Sequence, residues 1–279
     1  MLRAGEIAPL VSLAPMAGVT DIPFRRQVKA FGGCYCVSEM VACEQLALER
    51  IDMVRRAAGA GMISPLVIQL AGRDPRWMAE GARLAEAAGA EVIDINMGCP
   101  AKSVTSGACG SALMRDPATA LRLIEATIGA TGLPVTLKMR LGWDHASLNA
   151  PEIAKNAEAA GVRMLTIHGR TRNQFFTGVA DWEAIAQVVD AVTIPVIANG
   201  DIANAADARR ALSLSGAAGV MIGRAAQGRP WLPGAIEHAL KNGGEAAPPP
   251  RARLLTSLLA LYEDTLGFYD HGLGVRVAR

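Results

Sequence analysis

One cysteine in this 279-residue chain stands between a glycine and a proline, Gly98-Cys99-Pro100, directly after the aliphatic run Val92–Asn96. Such a turn can hold a thiol at the end of a strand, where it could give a proton to a reacting carbon. An acid of this kind must keep its proton until transfer, the reverse of a nucleophilic cysteine. A free cysteine is more often a small buried hydrophobe, and Cys34, Cys36, Cys43 and Cys109 read that way. Cys34-x-Cys36 with Cys43 lacks a C-x2-C pair and a fourth ligand, so no metal site is expected. A second group suits phosphate. Asn199-Gly200-Asp201 and Gly223-Arg224 combine small residues, backbone amides and a guanidinium, the donors a phosphate dianion takes. Ordinary left-handed turns are the plainer reading of the same loops. Lys138 and His168 each close an aliphatic run. Beside a phosphate-bearing flavin they could contact its ring and favour the anionic reduced form, because positive charge near N1 tunes flavin electronics. His168 alone reads equally well as a core histidine bonded to backbone. Gln69 could pair with the donor–acceptor edge of a flavin or satisfy its own neighbours. Lys102, Arg140, Arg170 and Arg172 would form a positive rim able to meet a polyanion, or remain solvated loop charge.

Positioning these residues requires a frame, and the chain repeats one. Short aliphatic runs recur at residues 10–15, 34–38, 65–70, 92–96, 134–139, 164–168, 195–199 and 219–222. Runs this short and apolar throughout suit parallel strands buried on two faces. Helical stretches lie between them. Asp74-Pro75 and Asp116-Pro117 are capping carboxylates before a first-turn proline, with stops at Gly89 and near Gly132. Pro151 opens a helix ending at Gly161, Asn204 caps one ending near Gly216, and Pro23 heads one ending at Gly32-Gly33. Eight strand–helix units over about 240 residues predict an α/β (β/α)8 barrel. An open doubly wound sheet would carry G-x-G-x-x-G at its first turn, and the chain has Ala14-Pro15-Met16-Ala17-Gly18 there. In a barrel the strand C-termini form the active face, and the loops after strands seven and eight commonly hold phosphate. Each candidate above falls at such an end. Residues 1–240 read as the barrel, 241–250 as a glycine- and proline-rich linker, and 251–279 as a partial helical extension, helical through Leu266 and trailing off at Gly272-Leu273-Gly274.

Composition narrows the class. Hydrophobic residues are 51% and charged residues 19%, which excludes disordered, collagen-like and coiled-coil chains. Aromatics are 4%, so the core must be aliphatic. Lys and Arg number 28 against 26 Asp and Glu, so any polyanion must be met by a local patch. No run of about 18 apolar residues predicts a membrane helix. The first 18 residues lack a signal-peptide layout, and five cysteines without a leader predict reduced thiols in the cytoplasm.

Six segments in order carry a resemblance: LAPMAGVTD (Leu13–Asp21), DINMGCP (Asp94–Pro100), LKMRLGW (Leu137–Trp143), HGRTR (His168–Arg172), NGDI (Asn199–Ile202) and IGRAA (Ile222–Ala226). Together they resemble the tRNA-dihydrouridine synthases, of the bacterial B-type branch, over nearly the whole chain to about Pro233. The resemblance implies an FMN-dependent enzyme that reduces a D-loop uridine of tRNA to 5,6-dihydrouridine with NADPH, with neither DNA nor membrane as partner. By the matching motifs, Pro15, Met16 and Ala17 would lie against the flavin. Gln69, Lys138 and His168 would hold its ring and ribityl chain, and Asn199, Gly200, Asp201, Gly223 and Arg224 would surround its phosphate. Cys99 matches the proton donor and Asn96 a residue that holds the target uracil. Lys102, Arg140, Arg170 and Arg172 would contact RNA or substrate. Phe176 stands where the family commonly carries tyrosine, which keeps a stacking surface and loses a hydroxyl. The C-terminal extension resembles the start of the family's helical tRNA-binding domain. Two other readings stay open: an FMN barrel oxidoreductase for a small pyrimidine, similar to dihydroorotate dehydrogenases, and a flavin-free RNA-binding scaffold.

Overall fold

In a computed structural model, which describes residues 8–33, 35–245 and 248–277, the eight aliphatic runs become eight parallel strands. They are β1 (Val11–Leu13), β2 (Tyr35–Ala42), β3 (Val67–Ala71), β4 (Val92–Met97), β5 (Val135–Arg140), β6 (Met164–His168), β7 (Val196–Asn199) and β8 (Gly219–Ile222). They close into one barrel in sequence order, with β8 pairing back onto β1. Cys34, read above as a buried hydrophobe, lies outside the described residues. So do two residues of the expected linker.

Side chains alternate along each strand, and this decides what faces inward. Ile93, Ile95, Leu137, Met139, Leu165 and Ile167 face the helices and join the main core cluster. The opposite faces of the same strands carry Val92–Asp94–Asn96, Thr136–Lys138–Arg140 and Met164–Thr166–His168. Tyr35, Val67, Val92, Met164, Ile197 and Met221 pack together as the barrel's lower plug. Polar side chains take over toward the strand C-termini. Lys138 Nζ donates to Asn199 Oδ1 at 3.1 Å, from β5 to β7, a span that crosses the barrel interior.

The helices start where their caps stand. Asp74, Asp116 and Asn204 each accept a backbone N–H of the first turn of Pro75–Ala87, Pro117–Ile128 and Ala205–Ser215, and each such cap contributes about 1 kcal/mol. Gly161 and Gly216 close their helices in the left-handed region, at φ +109° and +66°. Several boundaries differ from expectation. The helix from Pro117 ends at Ile128, ahead of Gly132. Two short helices, Cys43–Ala47 and Ile51–Ala57, follow β2, and a helix capped by Asp181, Trp182–Val189, follows β6.

The C-terminal helix runs Arg251–Tyr269, past Leu266, and a further helix, His271–Val277, spans the glycines expected to be irregular. Gly274 N–H bonds Asp270 O and Leu273 N–H bonds the Asp270 side chain, which supplies the start that the glycines do not. This extension meets helix Ile22–Ala30 through polar contacts: Arg26 with Asp264 at 3.1 Å, and Ser257 Oγ donating to Gln27 Oε1 at 2.8 Å. Among the described residues no helix is long and apolar enough to cross a membrane.

Candidate active site

A cavity of about 820 Å³ opens at the strand C-termini, in the upper part of the usual ~300–1,000 Å³ range for ligand pockets. Of the residues expected there, Pro15, Met16, Ala17, Gln69, Asn96, Cys99, Lys138, Arg140, His168, Asn199, Gly200, Asp201, Gly223 and Arg224 line it together. Lys102, Arg170 and Arg172 do not line it.

The thiol turn is clamped from three sides. Asn96 Oδ1 accepts the backbone N–H groups of Gly98 and Cys99 at 3.3 and 3.1 Å. Cys99 O accepts from Ser111 Oγ at 2.9 Å and from Ser111 N at 3.1 Å. Arg140 Nε donates to Gly98 O at 2.8 Å. Arg140 Nη1 also donates to Thr171 O and Phe175 O, tying the thiol turn to the loop after β6. The rigidity of this turn is therefore built from side chains on three different segments.

Lys138 is buried beneath the cavity. Desolvation, with the nearby charge of Arg140, brings its ammonium down to about 8. His168 is pushed well below its ordinary value by burial first and then by the charges of Lys138, Arg140, Arg170 and Arg224. It is neutral near pH 7. Arg170 Nη1 stands 3.3 Å from His168 Nε2. An arginine cannot accept, so Nε2 is the acceptor and Nδ1 carries the ring proton. The expected pair of cations is thus one cation and one neutral donor.

Arg170 is 1% exposed, and all five of its N–H groups are taken: by Thr177 O, Gly178 O, His168 Nε2 and the two carboxylate oxygens of Asp201. It has no donor left for RNA, so the expected contact gives way to a positioning role. It ties the β6 loop to the turn after β7. Asp201 also accepts Ala180 N–H and pairs with Arg224 at 3.4 Å. Burial raises its carboxyl, but the Arg170 and Ala180 hydrogen bonds and the two arginine charges outweigh burial and hold it below its ordinary value.

The two glycine loops expected to suit phosphate follow β7 and β8 at the strand C-termini. Gly200 sits at φ +120°, and a Cβ there would lie 2.7 Å from Ala180 Cβ and 2.9 Å from the His168 ring. Only glycine fits this turn. At Gly223 an added Cβ would meet only Ala14, at 3.8 Å, so this backbone stands bare. The exposed Arg224 guanidinium lies 5.0 Å from the Phe176 ring centroid and that of Arg140 5.6 Å from it. Phe175 and Phe176, 40% and 44% exposed, form the lip of the cavity. Lys102 is exposed on a short helix, Lys102–Thr105, whose Thr105 Oγ1 accepts from Arg172. Arg172 lies 4.7 Å from the Trp143 ring. These two cations occupy the rim.

Sequence reasoning missed Met40, Ser111, Gln227 and Arg229 near the site, and Asp94 beneath it. Asp94 had a signal: it lies two residues before Asn96 on the same strand face.

A closed parallel barrel with a thiol, a buried lysine and a neutral histidine converging at its C-terminal mouth is the architecture of a (β/α)8-barrel enzyme. The chain belongs to the dihydrouridine synthase family: the family model described as "Dihydrouridine synthase (Dus)" matches residues 12–279. It is 56% identical over 276 residues to a probable tRNA-dihydrouridine synthase of Rhodobacter capsulatus, covering 98% of this chain and 85% of that one. It is 46% identical over 274 residues to the tRNA-dihydrouridine synthase B of Xanthomonas axonopodis pv. citri, covering 98% and 82%. Among solved structures, a mandelate oxidase crystallised with (S)-2-phenylpropionate superposes at a TM-score of 0.53 with 22% identity, over 93% of this chain and 73% of that one. That likeness is one of fold.

Proposed function

We propose that this chain is a tRNA-dihydrouridine synthase: it reduces a D-loop uridine of tRNA to 5,6-dihydrouridine, with flavin mononucleotide as resident cofactor and NADPH as reductant. The observation that carries the reading is that Cys99 shares one cavity with Lys138, His168 and Arg224, in a member of the dihydrouridine synthase family. The donor set fits the cofactor. Lys138 and the His168 Nδ1–H suit the acceptor-rich ring and ribityl chain, while Gly200, Gly223 and Arg224 suit the phosphate. Pro15, Met16 and Ala17 offer an apolar wall to the ring. Flavin mononucleotide, when bound, supplies a hydride to uracil C6.

The remaining work falls to the chain. C5 of the uracil then carries carbanion character, and Cys99 gives it the thiol proton as general acid. The clamps from Asn96, Ser111 and Arg140 hold that thiol in place. Asn96 keeps one amide N–H beyond its bond to Gln69, enough to meet a uracil carbonyl. A target base must leave its stack, at a few kcal/mol, and the exposed rings of Phe175 and Phe176 offer it a stacking surface. Lys102 and Arg172 are proposed to meet RNA phosphates at the rim. The test is Cys99→Ala with unmodified tRNA and NADPH, reading dihydrouridine by mass spectrometry. Product formation should fall by about 10²–10⁴-fold, the usual worth of a general acid, while flavin still bleaches under NADPH. Full product formation would refute the acid role. Turnover of free uracil or orotate in preference to tRNA would refute the substrate assignment.

A further inference from the structure

The floor of the cavity carries a chain of side-chain hydrogen bonds that converges on one carboxylate. Thr136 Oγ1 donates to Asp94 Oδ1 at 2.6 Å. Gln69 Nε2 donates to Asp94 Oδ2 at 2.7 Å. Gln69 Oε1 accepts from Asn96 Nδ2 at 2.7 Å, and Asn96 Oδ1 accepts from the backbone of Gly98 and Cys99. The strand register builds this row: Gln69 lies beside Asp94, and Asn96 stands two residues on, over the same inner face. Gln69, Asp94 and Asn96 are 0%, 3% and 7% exposed, so a lost partner is poorly replaced by water.

The two ends of a carboxamide have nearly the same shape, and its partners decide which way it points. Here both ends of the row are committed. Burial raises the Asp94 carboxyl, and the hydrogen bonds from Thr136 and Gln69 and the charge of Lys138 oppose that rise. With a donor on each of its two oxygens the carboxylate accepts, and backbone N–H groups only donate. Asp94 therefore draws the NH2 of Gln69, which turns the Gln69 oxygen to Asn96. That oxygen draws the NH2 of Asn96, which turns the Asn96 oxygen to the thiol turn. We propose that Asp94 is a positioning residue: its carboxylate fixes the orientation of the Gln69 and Asn96 amides and, through them, the seat of the Cys99 thiol. Its importance for catalysis rests on the function proposed above; the seating itself does not.

The test uses the full chain without flavin, NADPH or tRNA. Cys99 is alkylated with iodoacetamide, and its peptide is followed by mass spectrometry with the Cys109 peptide as internal reference. Asp94→Asn leaves an amide that can point either way, so Cys99 alkylation should rise at least threefold as the turn loosens. Asp94→Asn combined with Gln69→Glu moves the carboxylate one link along the row. The new amide donates to it, it accepts from Asn96, and Asn96 regains its orientation. The double variant should return to within about twofold of the wild-type rate. A mere packing role predicts that the second change adds damage. An unchanged rate in Asp94→Asn, or a double variant no closer to wild type than the single one, overturns the proposal. If Asp94→Asn does not fold, the wild-type protein carries the test by NMR. The side-chain NH2 protons of Gln69 and Asn96 should exchange at least tenfold more slowly than those of exposed Asn173, and equal rates overturn it. A wild-type protein that makes no dihydrouridine would sink the functional reading and leave these results standing.

Discussion

At the scale of single residues, Lys138 is the side chain whose state most affects an anionic ligand. Its ammonium is held near 8 by burial and by Arg140. Below that pH the ligand-free site already carries the charge. Above it, binding an anion must also take up a proton. Affinity for flavin mononucleotide should be flat below about pH 8 and fall above it by up to tenfold per pH unit. Fluorescence titrations from pH 6.5 to 9.5 check this, and Lys138→Met should bind more weakly with no such break. The same shift predicts that the ligand-free fold gains stability as pH rises from about 8 toward 10.5, because there the unfolded chain binds more protons than the folded one. The presence of Lys138 and His168 at strand ends was legible from their spacing. The neutrality of His168 was not, because it follows from burial among four cations that only the closed barrel brings together. Arg170 teaches the same point. Its type suited RNA, but five acceptors from three segments occupy it.

At the scale of elements, the turn after β7 does the joining. Asp201 holds Arg170 with two hydrogen bonds, and removing that carboxylate leaves a guanidinium at 2% side-chain exposure without two of its acceptors. Breaking a buried pair in this way costs about 3–5 kcal/mol, and the quarter exposure of Asp201 puts Asp201→Ala near the lower end, at about 3 kcal/mol. Urea unfolding should show it as a lower midpoint at unchanged slope. Gly200→Ala acts on the same turn by crowding. Its Cβ would strike Ala180 and His168 at a φ that disfavours side chains, at about 1–3 kcal/mol of strain, and flavin affinity should fall by tenfold or more in a titration. The strand–helix alternation was readable because aliphatic runs and capping signals such as Asp74-Pro75 are local. The interior row is not legible from strand ends alone, because its members are the same-face neighbours of those ends. Asp94 and Thr136 lie at i−2 from Asn96 and Lys138, and period-two alternation applied to β4 and β5 would have found them. The loop that carries Ser111 had no such regularity, and its approach to Cys99 is a matter of tertiary folding.

At the scale of the molecule, charge limits how RNA can be held. A net charge of +2 supplies little general attraction, so affinity for tRNA rests on local basic patches, of which the mouth carries one. Arg140 and Arg170 are both 1% exposed and bonded within the protein, so neither offers a solvent-facing charge at the rim, while Arg140 still lines the cavity. Lys102 and Arg172 remain beside the mouth, with Arg224 at its edge, 55% exposed. Binding through a few phosphates releases few counterions, so log affinity should fall with log salt at a shallow slope, about 0.7–0.9 for each phosphate neutralised. Lys102→Ala and Arg172→Ala should each lower that slope by nearly one unit. Arg163→Ala tests whether position or charge matters. Arg163 directly precedes β6, at the opposite, N-terminal end of the barrel, and is exposed there. The three changes alter net charge equally, so a footprint at the mouth requires that Arg163→Ala leave the slope as it was. Equal losses from all three would mean that tRNA senses overall charge, and the rim would then not be where it docks.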